Sequence, residues 1–120
     1  MDTSYLAGLI FVLVFAGMIL IHEFGHFLAA RFFGIEVEEF GIGLPPKIFT
    51  LFRWKETQFT LNWLPIGGFV RPKGENDPNV AGGLAAANPW KRLGVLIAGP
   101  LMNLIAGVLV YSILFTQSGV

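Results

Sequence analysis

The chain has 120 residues, of which 54% are hydrophobic and only 13% charged. Soluble domains typically carry about twice that share of charge, and a mean hydropathy of +0.67 likewise points to a membrane protein in contact with a lipid bilayer. Eight Lys and Arg balance eight Asp and Glu with no basic run, so nothing suggests a nucleic-acid partner. The absence of Cys excludes disulfides and thiolate metal sites, which leaves any metal to His, Asp or Glu.

Residues 1–4 read as a short N-terminal tail and residues 5–31 as a first transmembrane helix. No charge occurs over 5–21, and the apolar character continues through His22-Glu23-Phe24-Gly25-His26 to Ala30. About 20 such residues cross a bilayer. A signal peptide is the alternative, but the stretch before the apolar run holds Asp2 and no Lys or Arg, and no small-residue cleavage site follows. The middle of the span falls near Gly17 and Met18. The histidine block therefore starts roughly 7 Å towards the Arg31 end, at the helical rise per residue.

Residues 32–72 read as a membrane-associated β region built of short strands. Residues 35–38 alternate apolar and polar, and 48–54 form a further candidate joined by a turn near Lys55 and Glu56 to 57–64. There Phe59, Leu61 and Trp63 share one face while Gln58, Thr60 and Asn62 share the other. Gly41, Gly43, Pro45 and Pro46 punctuate one end, and Pro65, Gly67 and Gly68 the other. Residues 69–71 add a short strand. Residues 57–64 have two readings: an amphipathic hairpin at the membrane surface, or an edge strand that pairs with extended substrate. The second makes Gln58, Thr60, Asn62, Gly67 and Gly68 candidate substrate contacts.

Residues 73–88 read as a flexible loop. Asn88 as N-cap and Pro89 at the first helical position then open a second transmembrane helix over 89–116, leaving 117–120 as the C-terminal end. The predicted fold class is thus a mainly α membrane protein, with two transmembrane helices flanking a small β-hairpin or sheet. All eight Lys and Arg lie between Arg31 and Arg92. By the positive-inside rule, residues 31–92 face the cytoplasm and both termini lie outside.

His22 and His26, at i and i+4, lie one turn apart on the same helix face, so their imidazoles can converge on one zinc ion. Glu23 beside them is placed to act as catalytic base, because zinc brings the pKa of a coordinated water towards neutrality. HExxH also arises by chance on soluble helices. Here its location decides: a Glu and two His at lipid depth cost several kcal/mol unless they face a cavity or bind something. Both histidines of the chain are in this block.

In the second span Gly99, Asn103 and Gly107 recur every four residues. Such a stripe lets helices approach closely. Asn103 either lines a cavity beside the histidine helix or serves as polar glue in ordinary helix packing. Pro100 should adjust or kink the helix, and Gly25 offers a matching point of close approach.

Beyond HExxH, the chain carries Ala29-Ala30-Arg31-Phe32-Phe33-Gly34, Phe40-Gly41-Ile42-Gly43, Leu64-Pro65-Ile66-Gly67-Gly68-Phe69-Val70, Pro89-Trp90-Lys91-Arg92 and Ala98-Gly99-Pro100-Leu101-Met102-Asn103. In this order, over about 19–103, they resemble the site-2 protease family of intramembrane zinc metalloproteases, in its bacterial regulated-proteolysis branch. The resemblance implies Zn2+ held by His22 and His26, with Glu23 as base. It further implies a bacterial inner-membrane enzyme that hydrolyses membrane-spanning substrates on the cytoplasmic side, of the anti-sigma-factor or remnant-signal-peptide type. In that family 57–70 corresponds to a membrane-associated hairpin thought to engage substrate. The family's third zinc ligand is an Asp in a later transmembrane Asp-Gly motif, and neither apolar span here contains Asp. The chain accordingly reads as an N-terminal portion that binds zinc weakly and cleaves nothing alone. The competing function is a truncated, non-catalytic membrane module that binds partners through its hairpin. A metal-transport helix is a third reading, for which only Asn103 offers a further intramembrane ligand.

Overall fold

Thirty residues, Thr3–Phe32, form one uninterrupted α-helix, α1, in a computed structural model that describes residues 3–118. Met1 and Asp2 of the expected N-terminal tail, and the last two residues of the expected C-terminal end, lie outside the described residues. At the helical rise, α1 is about 45 Å long, enough to cross a bilayer. Its buried residues, Gly25, Phe27 and Ala30, all lie near its C-terminal end. The rest leaves large side chains such as Leu9, Phe11 and Leu13 uncovered.

A Schellman motif terminates α1. The N–H of Ile35 donates to the carbonyl of Ala30 (2.8 Å) and that of Gly34 to Arg31 (3.1 Å). Gly34 has φ +77°, a left-handed conformation that costs glycine little. Ile35 and Ala30 both lie in the buried core, so the stop also turns the chain inward to begin the sheet.

Two strands follow, β1 (Val37–Trp54) and β2 (Thr57–Pro72). Several short strands were expected, yet the Gly and Pro punctuation bends two long ones without ending them. The strands pair antiparallel as a hairpin, for example Trp54 with Thr57 and Thr50 with Thr60, and again where Phe40 faces Val70 and Ile42 faces Gly68. Residues 39–42 also pair with 58–61, both numbers rising together. Each strand therefore folds across the other. The segment 57–62 lies between 37–42 and 49–54, and so is not the edge that its alternation suggested. Among the described residues, the outer sides of 47–54 and 68–72 carry no strand partner. Lys55 and Glu56 form the hairpin turn, both at positive φ.

The sheet is two-faced. Phe40 and Phe59 stack with centroids 5.6 Å apart, and each ring meets Phe27 of α1 at 5.7 Å. On the other face Glu39 pairs with Arg71 at 3.0 Å and accepts from the Thr60 hydroxyl at 2.7 Å. The helix α2 (Pro89–Gln117) starts where Asn88 accepts from the Trp90 N–H at 2.9 Å, and it continues through Pro100. Val95 of α2 joins Phe27, Ala30, Ile35, Val37 and Phe40 in the core. The packing thus gathers at one end of the helix pair, beside the histidine block.

Both helices are long and apolar enough to span a membrane, and their most apolar stretches are 0% and 11% buried within the molecule. A soluble protein would cover such helices in its core. The chain is an integral membrane protein.

Candidate metal centre

The ligand-type atoms of His22, Glu23 and His26 lie within 4.8 Å of one another. Helical spacing brings the two imidazoles together, with ring centroids 4.6 Å apart and planes at 82°. The Glu23 carboxylate approaches Nδ1 of His22 at 3.6 Å.

Orientation comes from α2. Nδ1 of His26 lies 2.6 Å from the carbonyl oxygen of Val95. A carbonyl only accepts, so Nδ1 carries the hydrogen and Nε2 keeps its lone pair for a metal. Gly99, one turn further along α2, faces the same atoms. A Cβ there would stand 2.5 Å from Nε2 of His26 and 2.8 Å from Nε2 of His22. Both nitrogens therefore converge on space that exists only because residue 99 has no side chain. That cradle, lined by two unprotonated-capable nitrogens and flanked by a carboxylate, fits a zinc ion and its preferred donors. Gly25 makes the approach possible from the α1 side, where an added Cβ would run into the Ala98 carbonyl and Met102.

Two cavities open on the block, and Glu23 lines both. One, of about 370 Å³, is walled by Phe15, Met18, Ile19, His22 and Asn103. The other, of about 280 Å³, is bounded by His26, the β2 residues Phe69, Val70 and Pro72, and by Glu75, Leu84, Val95 and Leu96. Asn103 thus stands beside His22 and Glu23, with its amide oxygen buried and without a hydrogen-bond partner among the described residues. Gly107 does not share the contact, since a Cβ there meets nothing within 4 Å.

The other tentative substrate contacts lie elsewhere. Gln58 accepts from Lys47 (3.4 Å) and Thr50 (3.3 Å), Thr60 donates to Glu39, and Asn62 donates to the Ile42 carbonyl (3.2 Å). Thr60 and Asn62 are buried within the sheet and Gln58 is half-buried on it, and none of the three lines either cavity. Gly67 and Gly68 pack on Ile19 and Leu20 of α1, which holds the 68–72 edge alongside the histidine helix. Sequence reasoning missed Val95, Phe69, Val70 and Glu75. The signal in the sequence that α2 had a role here beyond packing was Asn103 in the Gly99–Asn103–Gly107 stripe, one reading of which placed it on a cavity beside the histidine helix.

A family model described as peptidase family M50 matches residues 10–120. The chain belongs to this family. The resemblance to the site-2 proteases seen in the sequence is thereby established at the level of family. A protein of Thermotoga maritima named "Putative zinc metalloprotease" is 42% identical over 107 residues, covering 84% of this chain and 21% of that protein. Similarly named proteins of Clostridium acetobutylicum (39% over 121 residues, 98% and 34%) and Clostridium perfringens (42% over 109 residues, 90% and 32%) also match. The chain spans about a fifth to a third of the length of these relatives. Zinc, the expected cofactor, is the metal their names carry.

Proposed function

We propose that this chain supplies two zinc ligands, His22 and His26, and the catalytic base, Glu23, of a zinc-dependent intramembrane endopeptidase that hydrolyses transmembrane segments of other proteins. The observation that carries this reading is the convergence of both Nε2 atoms on the cradle left by Gly99, with Glu23 facing the cavities on either side. Zinc, when bound, is a Lewis acid that acidifies water and polarises a carbonyl. Glu23 takes the proton of the attacking water and returns one to the leaving amine. His26, held by the Val95 carbonyl, and His22 keep their donor atoms aimed without reorganisation. Asn103 faces the same space with its amide.

An extended substrate crosses from the Asn103 cavity past Glu23 to the β-side cavity. There the unpaired edge of 68–72 is available for strand addition, which presents an opened backbone to the site. This replaces 57–64 as the pairing edge. Residues 31–92 lie on the cytoplasmic side of a bacterial inner membrane, since all the Lys and Arg fall there. Substrates are of the anti-sigma-factor or remnant-signal-peptide type. The third zinc ligand is an Asp outside this chain, so the 120 residues alone bind zinc weakly and do not cleave.

The test compares the complete gene product with its Glu23→Gln variant on a transmembrane substrate in proteoliposomes, with zinc measured in both. Zinc-dependent cleavage lost in Glu23→Gln supports the proposal. Cleavage retained by that variant sinks the role of Glu23, whereas absence of cleavage by zinc-loaded wild type favours the module that only binds partners.

A further inference from the structure

The cavity on the β side of Glu23 is apolar over most of its wall, from Phe69 and Val70 of β2 to Leu84 and Leu96. Besides Glu23 and His26, the ionisable group on that wall is Glu75. Its neighbours in charge are already engaged. Glu39 pairs with Arg71 at 3.0 Å, Glu36 with Lys73 at 3.2 Å, and Asp77 accepts from the Asn79 N–H at 3.0 Å. Glu75 is exposed and has no ion-pair or hydrogen-bond partner among the described residues. Its position is nonetheless held. The Leu84 N–H donates to the Lys73 carbonyl (2.8 Å) and the Ala85 N–H to the Gly74 carbonyl (3.0 Å), which ties the segment before Glu75 to the far end of its loop.

We propose that Glu75 is a specificity-determining residue that selects Lys or Arg at the substrate position occupying this cavity. A side chain matched to the cavity needs an apolar stem against Phe69, Val70 and Leu84 and a cationic head at Glu75. Lys and Arg have that construction. They also cluster at the cytoplasmic ends of transmembrane segments, where an extended substrate lying along 68–72 would present them. The inference rests on the proteolytic reading above and narrows it. Cleavage falls near the basic cytoplasmic flank of the substrate, and an acidic flank is rejected by like charge.

The experiment uses the complete gene product in proteoliposomes with a single-span model substrate. Its cytoplasmic flank carries Lys, Gln or Glu, moved one position at a time. Wild type should show a KM for the best-placed Lys substrate about two- to fivefold below that of its Gln counterpart, the scale of a solvent-accessible ion pair, and a higher one for Glu. Glu75→Lys should reverse the order, Glu75→Gln should abolish it, and Glu75→Asp should retain it, all with unchanged zinc content. Wild-type cleavage indifferent to flank charge at every position, or a preference that Glu75→Lys leaves intact, overturns the role of Glu75 alone. Absence of cleavage of every substrate by zinc-loaded wild type overturns the proteolytic reading, and this inference with it.

Discussion

The carbonyl oxygen of Val95 lies 2.6 Å from Nδ1 of His26, so a backbone group of α2 decides which nitrogen this proposed ligand of α1 offers to a metal. The geometry depends on how closely α2 can approach, and Gly99 sets that limit. Gly99→Ala adds one methyl group at the point where the two Nε2 atoms converge. Alanine is the better helix former, so any loss is steric. Zinc affinity of the complete protein should fall at least about 10- to 100-fold, the range seen when groups that orient ligands are disturbed. Chelator competition measures it, and unchanged affinity would refute the cradle.

Removing a ligand and removing the base should separate. His22→Ala and His26→Ala should each lose zinc and cleavage together. Glu23→Gln should keep zinc and lose about 10²–10⁴ in kcat, the usual contribution of a general base. Zinc content and single-turnover rates on the same preparations check both. A Glu23→Gln protein without zinc would show that the carboxylate is a ligand instead.

Gly25 and Gly107 make a matched pair of tests for helix packing. A Cβ at Gly25 runs into the Ala98 carbonyl and Met102, whereas one at Gly107 meets open space. Gly25→Val should cost about 1–3 kcal/mol through overpacking, and Gly107→Ala should be neutral or stabilising by up to about 1 kcal/mol, since alanine is the better helix former. Unfolding of the detergent-solubilised protein gives the comparison. Equal effects would mean that the two helices do not meet where the structure has them.

The two ion pairs of β2 and its following loop should also behave differently. The Glu39 side chain is 10% exposed and Arg71 53%. Arg71→Met removes a charged hydrogen bond from a buried carboxylate and should cost about 1–3 kcal/mol. Lys73→Met removes the partner of an exposed Glu36 and should lower the melting temperature near neutral pH far less than Arg71→Met does.

Glu36 sets the sign of a pH effect. Hydrogen bonding to Glu56, then the hydrogen bond and charge of Lys73, hold its carboxyl below the usual value. A depressed carboxylate contributes its stability above the unfolded-state pKa and loses it as pH falls through the folded one. Any difference between Lys73→Met and wild type should therefore shrink on acidification below the ordinary carboxylate range. Melting curves across that range test it, and a difference that grows in acid would reverse the assignment.

The membrane spans and the zinc motif were legible in the sequence because both are local. Length and apolarity follow from composition, and i, i+4 spacing places two histidines on one helix face wherever that helix sits. The Lys55–Glu56 turn and the Asn88 cap were legible for the same reason. What the tertiary structure decided is everything that depends on a second element. Alternation over 57–64 signals a strand with two faces, but not which strands flank it. Pairing on both sides put 57–62 inside the sheet, and left the open edges among the described residues at 47–54 and 68–72. The Gly99–Asn103–Gly107 stripe has one period, yet only contact with α1 shows that Gly99 makes room for the two histidine Nε2 atoms, Asn103 faces the cavity and Gly107 faces nothing. Hydrogen bonds and close approaches between distant segments carry no periodic signature, so Val95 and Glu75 became visible only once the helices and the sheet were packed together.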